Sequence, residues 1–319
     1  MDTRLENDVR IVGDLKRNLE SCIYGKSDEI DLMLTALLAG GHVLLEDVPG
    51  TGKTVLIKAL AKSVQAQFRR IQCNPDLLPT DITGVSIYHP KTETFEFRPG
   101  PIMTNILLID EINRATTKTQ SALLEAMEEH HVTVDGEPHT LPRPFLLLAT
   151  QNPIDFEGTY VLPEAQLDRF MLKFALGYPD EGTELRMAQV QTTVRPLEDL
   201  QPVMDAGRLI ELQERVKTIH MEESVAQYTV ELVRRTREHR QLLLGASPRA
   251  TLALVSAAKA YAFLQGRDFV IPDDVKWLVP YVLGHRLVLE TEARMEGVTL
   301  ESIFESIYRD VKVPVRLER

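Results

Sequence analysis

Along residues 1–178 the apolar positions come in short continuous runs separated by amphipathic stretches. Runs at 42–45, 69–72, 105–109, 145–150 and 170–174 have the length of strands buried on both faces, as in a parallel sheet covered by helices. Between them the apolar spacing turns helical, for example in Thr54-Val55-Leu56-Ile57-Lys58-Ala59-Leu60-Ala61. This alternation predicts an α/β fold, a parallel sheet with helices on both sides. Two stretches instead alternate with a period of two. Val85-Ser86-Ile87-Tyr88 and Thr94-Phe95-Glu96-Phe97 flank His89-Pro90-Lys91-Thr92-Glu93, while His131-Val132-Thr133-Val134 and Glu137-Pro138-His139-Thr140-Leu141 flank Asp135-Gly136. Each predicts a β-hairpin inserted into the core, the second with a tight two-residue turn. Beyond Leu176-Gly177-Tyr178-Pro179 the strand signal fades, and residues 179–319 predict an all-helical second domain. There Ser247 is placed to cap a helix opened by Pro248 and continued over 251–263. Pro272 opens another, with Asp273 and Asp274 complementing its dipole.

The length of 319 residues exceeds what one hydrophobic core usually supports and agrees with two domains, 1–178 and 179–319. With 44% hydrophobic and 26% charged residues, the composition is that of an ordinary globular protein. The opening Met1-Asp2-Thr3-Arg4-Leu5-Glu6 lacks the basic-then-apolar order of a secretion signal. The longest apolar stretch, 32–45, is too short to span a bilayer and contains Gly40, Gly41 and His42. A cytoplasmic protein without membrane insertion is expected. A formal net charge of −11 opposes a broad phosphate-binding surface and disfavours nucleic acid as a partner, despite the local Arg69-Arg70 pair. Cys22 and Cys73 form neither a disulfide framework nor a metal-ligand pattern and are expected as free thiols. The adjacent His130-His131 lacks the i, i+4 spacing of a helical zinc site.

Candidate chemistry lies first in Asp47-Val48-Pro49-Gly50-Thr51-Gly52-Lys53-Thr54, which follows one predicted strand and opens a predicted helix. In that context a loop of the G-x-x-x-x-G-K-[ST] type cradles phosphate. Gly50 and Gly52 let backbone N–H groups converge on phosphate oxygens, and the following helix directs its N-terminus at the same anion. Lys53 is expected to reach the β- and γ-phosphates and Thr54 to ligate Mg²⁺, with Pro49, Thr51 and Val55 completing the nucleotide-binding loop. Asp47 replaces the first glycine of the strict pattern, at a position that ends the strand and need not touch phosphate. The second motif, Ile106-Leu107-Leu108-Ile109-Asp110-Glu111, places two carboxylates at the C-terminal tip of a central strand, where parallel sheets bind ligands. Neighbouring side chains on a strand point apart, so the two acids take different tasks. Asp110 is expected in the Mg²⁺ shell, and Glu111 is expected to orient or deprotonate the attacking water. Together the motifs predict a nucleoside triphosphatase.

With Ala149-Thr150-Gln151-Asn152-Pro153 added, the set resembles the AAA+ ATPases. Asp110-Glu111-Ile112-Asn113-Arg114-Ala115, Leu162-Pro163-Glu164-Ala165-Gln166-Leu167-Asp168-Arg169-Phe170 and Gly245-Ala246-Ser247-Pro248-Arg249-Ala250 resemble, more narrowly, the MoxR family within that class. The likeness covers nearly the whole chain with its motifs in the expected order. It implies a P-loop core with a parallel sheet between helices, followed by a helical lid, and ATP with Mg²⁺ as cofactors. It makes Asn152 the residue that senses the γ-phosphate and Arg169 an arginine finger reaching into a neighbour's ATP. Arg249 becomes a second sensor acting on its own subunit or on the next one. Arg114 is a further interface candidate or an internal ion-pair partner, and Tyr24 and Gly25 meet adenine through backbone groups. The hairpins correspond to the helix-2 insert and the pre-sensor-1 hairpin, lining the pore or face of a ring. The family further implies a homo-oligomeric ring, a hexamer with ATP, acting on client proteins that often carry von Willebrand factor A domains. Three rival functions share parts of this pattern. A nucleic-acid motor would want basic hairpin tips, but Lys91 on one is opposed by Asp135 and Glu137 on the other. A metal-chelatase motor subunit would need a partner with the inserting chemistry. A nucleotide-dependent scaffold would have little use for an intact Glu111.

Overall fold

The computed structural model describes residues 3–152, 158–190 and 196–314. Helices α1 (Thr3–Cys22) and α2 (Ser27–Ala39) precede β1 (Val43–Glu46), α3 (Lys53–Ser63), β2 (Phe68–Gln72) and the short α4 (Pro79–Thr83). Strands β3 (Gly84–His89) and β4 (Thr94–Pro99) form the first hairpin, and β5 (Ile106–Asp110) and α5 (Thr117–Glu129) follow. Strands β6 (His131–Val134) and β7 (Glu137–Thr140) form the second hairpin, before β8 (Leu146–Gln151), α6 (Glu164–Leu167) and β9 (Leu172–Phe174).

The five predicted core strands form a single parallel sheet in the order β2-β5-β8-β1-β9. The sheet is covered on both faces, which is why its strands read as unbroken apolar runs. Val43, Leu45, Ile106, Leu108, Leu146 and Leu148 join one hydrophobic cluster with α1, α2 and α3. Their neighbours Leu44, Leu107, Ile109, Leu147 and Ala149 join the other, against Leu123, Leu124 and Met127 of α5. His42 fastens the sheet to α5 at its N-terminal edge. Its Nδ1 accepts the Leu147 N–H at 3.1 Å, so the proton is on Nε2, which donates to the Met127 carbonyl at 3.1 Å.

Both hairpins form as expected. Asp135 and Gly136 have φ of 52° and 85°, the two positive angles that a tight two-residue turn of this hand requires. What the alternation did not disclose is that the hairpins touch: Phe97 of β4 stacks on His139 of β7 with ring centroids 3.7 Å apart and planes 12° apart.

The later part of the chain comprises α7 (Glu181–Val190), α8 (Pro196–Asp199), α9 (Ala206–Lys217), α10 (Glu223–Glu238), β10 (Leu242–Leu244), α11 (Pro248–Leu264), α12 (Pro272–Leu283), β11 (Val288–Leu289), α13 (Thr291–Met295) and α14 (Leu300–Asp310). It is a helical lid, as expected, with one correction to the all-helical reading: β10 and β11 pair as a short antiparallel ribbon. Strands of three and two residues are too brief to leave a period in the sequence. Ser247 caps α11 by accepting the Ala250 N–H, with Pro248 at the first helical position, and Pro272 opens α12. The first hydrophobic cluster continues into the lid, where Leu254 and Phe263 join Leu34 and Leu37 of α2. Among the described residues no helix is long and apolar enough to cross a membrane.

Candidate active site

From the end of β1 the chain turns through the glycine-bearing loop into α3, whose first residue is Lys53. Gly50 and Gly52 hold φ at 87° and 93°. A Cβ at Gly50 would meet no neighbour, so the backbone angle, not lack of room, calls for glycine. Lys53 Nζ lies within the loop, donating to the Val48 carbonyl at 2.5 Å and to Thr51 Oγ1 at 3.2 Å. Thr54 follows it in the first turn of α3.

Asp47 is buried and organises this loop. Its Oδ1 accepts the Val48 N–H at 2.8 Å; its Oδ2 accepts the Thr51 hydroxyl at 2.6 Å and the N–H groups of Leu176 and Gly177, both at 3.2 Å. One carboxylate therefore binds the loop to the chain leaving β9. The sequence pattern excused this position from touching phosphate but gave no sign of the long-range tie.

Beside the loop opens a cleft of about 440 Å³, lined by Tyr24, Gly50, Thr51, Gly52 and Val55 and, opposite them, by Tyr178, Glu184 and Met187. Tyr24 thus lines the cleft beside the loop. Gly25 sits behind it with φ of 70°, and an added Cβ would stand 2.7 Å from Thr183 Oγ1, so glycine is what lets α7 close in. Lys26 Nζ then donates to the Tyr178 carbonyl at 3.0 Å. Tyr178, Glu184 and Met187 were missed at the sequence level, because Gly177-Tyr178-Pro179 reads there as a domain junction.

Asp110 ends β5 next to Gln72 of β2, and it is buried. Its Oδ2 accepts Arg70 Nε at 2.5 Å and its Oδ1 the Thr150 hydroxyl at 3.2 Å. Glu111 takes φ 55° and ψ 53°, an uncommon left-handed conformation outside glycine that turns the chain sharply off the strand. Its N–H donates to Thr150 Oγ1 at 2.9 Å, and its Oε2 pairs with Arg114 Nε at 2.8 Å. The two acids diverge, though through the left-handed turn at Glu111, which lies beyond β5, rather than through strand alternation, and Arg114 makes an ion pair within its own chain. Thr150, which bridges both acids, is a further site residue; the motif around it drew attention to Asn152 instead. Asn152 follows Gln151, whose carbonyl accepts the Asp47 N–H at 3.1 Å, so β8 brings it to the edge of the sheet that carries the loop. Pro153 lies outside the described residues.

Cys73 accompanies this group, its N–H donating to the Asp110 carbonyl at 2.9 Å. Burial, with the Asp110 and Glu111 carboxylates adding to it, pushes its thiol up to about 12, so it stays protonated and unreactive. Both cysteines are free, as expected.

Neither Arg169 nor Arg249 lines the cleft beside its own loop. Arg169, between α6 and β9, donates to the Leu124 carbonyl of α5 at 2.5 Å and pairs with Glu128 at 3.2 Å. Arg249, in the first turn of α11, pairs with the other carboxylate oxygen of the same Glu128. The two arginines thus meet on the exposed side of α5, forming a small pocket with Met127 and Glu128.

Among the described residues no cluster of three or more His, Cys, Asp or Glu forms a metal cage. Thr54 and Asp110 offer instead one hydroxyl and one carboxylate at one sheet edge, a set suited to Mg²⁺, which keeps most of its ligands as water and phosphate. A parallel sheet carrying a phosphate loop and paired acids, closed by a helical lid, defines an ATPase of the AAA+ class.

The comparisons with known proteins agree. Residues 42–172 match the family model described as the ATPase family associated with various cellular activities (AAA), and residues 234–307 match the AAA lid domain. The chain is 53% identical to the uncharacterized protein YeaC of Bacillus subtilis, over 96% of each chain. It is 41% identical to the chaperone MoxR1 of Mycobacterium tuberculosis, over 96% of this chain and 82% of that one. The crystal structure of a candidate ATPase from Cytophaga hutchinsonii superimposes with a TM-score of 0.90 at 38% identity, covering 98% of this chain and 97% of that one. The chain belongs to the MoxR family of AAA+ ATPases.

Proposed function

We propose that the protein hydrolyses ATP with Mg²⁺ in a homo-oligomeric ring, a hexamer, and uses the cycle to remodel or mature client proteins in the cytoplasm. We divide it into a nucleotide-binding core, 1–178, and a lid, 179–319. The observation that carries this reading is the separation of parts. Lys53, Thr54, Asp110, Glu111 and Asn152 share one sheet edge, whereas Arg169 and Arg249 are held together at Glu128 of α5. An active site built from these pieces is completed by a neighbour. In that ring Arg169 and Arg249 both act across the interface, on the charge spread over the transferring phosphoryl group.

Within a subunit, Lys53 and the loop N–H groups hold the phosphates, and Tyr24 faces the base. Thr54 and Asp110 would hold Mg²⁺, which when bound would offset phosphate charge. Glu111, turned outward by its left-handed backbone, orients the attacking water and takes its proton, and Asn152 positions that water from β8. Chaperone-like work is supported by the name of the Mycobacterium relative. Clients with von Willebrand factor A domains remain the family's implication for this chain.

ATP hydrolysis measured across a wide range of protein concentration tests the assembly. Specific activity that rises with concentration, needs Mg²⁺ and vanishes in Glu111→Gln supports the reading. Activity independent of concentration and shared by Glu111→Gln rejects it.

A further inference from the structure

The segment that carries Arg169 is tied to the core, where the Met171 N–H donates to the His42 carbonyl at 2.8 Å, and also to the lid of its own subunit. Arg286, just beyond α12, is almost fully buried and spends its whole guanidinium on that segment and its own helix. Its Nε donates to Asp168 Oδ1 at 2.7 Å; Nη2 donates to the carbonyls of Asp168 at 3.0 Å and Phe170 at 2.8 Å; Nη1 donates to those of Met171, at 3.4 Å, and Val282. Five donor groups are available on an arginine and these five bonds use them all. The other carboxylate oxygen of Asp168 accepts the Ser247 hydroxyl at 2.9 Å, and the neighbouring His285 Nε2 bonds the Phe170 carbonyl at 2.9 Å. His285 is neutral, since burial, with the nearby Arg286 adding to it, lowers its pKa well below the ordinary value, so Nε2 is the donor. The residues on both sides of Arg169 are therefore bonded to the lid, through Ser247, His285 and Arg286. Ser247 also caps α11, two residues before Arg249.

We propose that Arg286, with Asp168 and Ser247, is the positioning centre of the arginine finger: it locks residues 168–171 to the lid, so that the lid's position in one subunit sets Arg169 against the ATP of the next. This rests on Arg169 acting in trans. Arg286 is buried with its donors spent on protein groups, so its role is to hold the backbone that aims Arg169. Lysine at 286 keeps the charge but offers a single ammonium in place of a planar fork, and so cannot span Asp168 and the carbonyls of Phe170 and Met171 together.

The test uses mixed rings in which donor and acceptor roles are separated. Glu111→Gln subunits keep their finger but do not turn over; Arg169→Ala subunits keep their own loop and acids but supply no finger. Mixing the two restores turnover if the finger works in trans. Arg286→Lys is then added to either component. The expected result is a fall in restored kcat of about tenfold to a hundredfold when Arg286→Lys is in the Glu111→Gln donor, the scale of an ångström-sized misplacement. In the Arg169→Ala acceptor it leaves kcat within about twofold, and KM for ATP is unchanged in both. An equal loss from either side, or a loss that appears as weaker ATP binding, overturns the proposal. Failure of the unmodified pair to restore turnover overturns the trans finger itself, which separates the two outcomes. Should Arg286→Lys fail to fold, Asp168→Asn and Ser247→Ala in the donor carry the same expectation with smaller losses, and an equal effect in the acceptor counts against it.

Discussion

Asp47 does more for the nucleotide loop than its place in the motif suggests. Asp47→Ala removes the acceptor of three backbone N–H groups and of the Thr51 hydroxyl. A buried donor left unpaired costs about 1–3 kcal/mol, so urea melts should show a loss of about 3 kcal/mol or more. ATP affinity should fall with it, because the loop loses its tie to β9; Asp47→Asn, which keeps acceptor capacity on one oxygen, should lose less of both. At Lys53 the expectation is sharper: Lys53→Ala abolishes ATP binding measured with a fluorescent analogue, whereas Glu111→Gln retains binding and loses turnover. Unchanged affinity in the lysine variant would sink the phosphate-loop assignment. His42 supplies a pH dependence. Burial lowers its pKa from 6.5 to about 4, so between those values the unfolded chain binds a proton that the folded chain refuses. Stability is therefore full above the upper value and falls with acidification toward the lower one, by about 3 kcal/mol for this group. Buried His285 adds in the same direction. Urea midpoints followed across that window should decline in the wild type and decline less steeply in His42→Gln; parallel slopes would assign the acid sensitivity elsewhere.

At the scale of elements, the hairpins show what pattern can and cannot carry. Alternation located both, and Asp135-Gly136 named the turn, because those signals are local. The Phe97–His139 stack is tertiary and leaves no periodic trace. Phe97→Ala should therefore lower stability by about 1 kcal/mol, the worth of an aromatic pair, while Phe95→Ala, on the same face but largely exposed and paired with Tyr88 inside the one hairpin, should change it less. Thermal melts of both variants check the contrast; equal effects would mean that the hairpins are not joined. The same division runs through the site. The loop, the paired acids and the strands that present them were legible because each is a contiguous run whose chemistry depends on neighbours in sequence. Thr150, Arg70, Tyr178 and Glu184 were not, because each meets the site only through strand adjacency or the approach of α7. The β10–β11 ribbon escaped for a simpler reason, its brevity.

For the whole molecule the decisive arrangement is the shared Glu128. It holds Arg169 and Arg249 in one chain, and under the proposed action across the interface both arginines would have to leave it to reach a neighbour's phosphates. These pairs are partly open to water, with side-chain exposures of 30% and 45% for the arginines and 37% for Glu128. Ion pairs in such settings contribute about 0–1 kcal/mol, so release is cheap, and ATP phosphates, with several charges, compete well against one carboxylate. On the proposed ring mechanism Glu128 would act as a parking place that keeps two like charges together on the surface until the ring closes. Glu128→Gln should accordingly leave the melting temperature nearly unchanged while shifting ATP-driven assembly, followed by sedimentation or light scattering, toward lower protein concentration. Turnover at limiting concentration should rise with it. A variant that assembles normally but turns over slowly would reverse the assignment, making Glu128 a group that aims the arginines in the closed ring rather than one that holds them outside it.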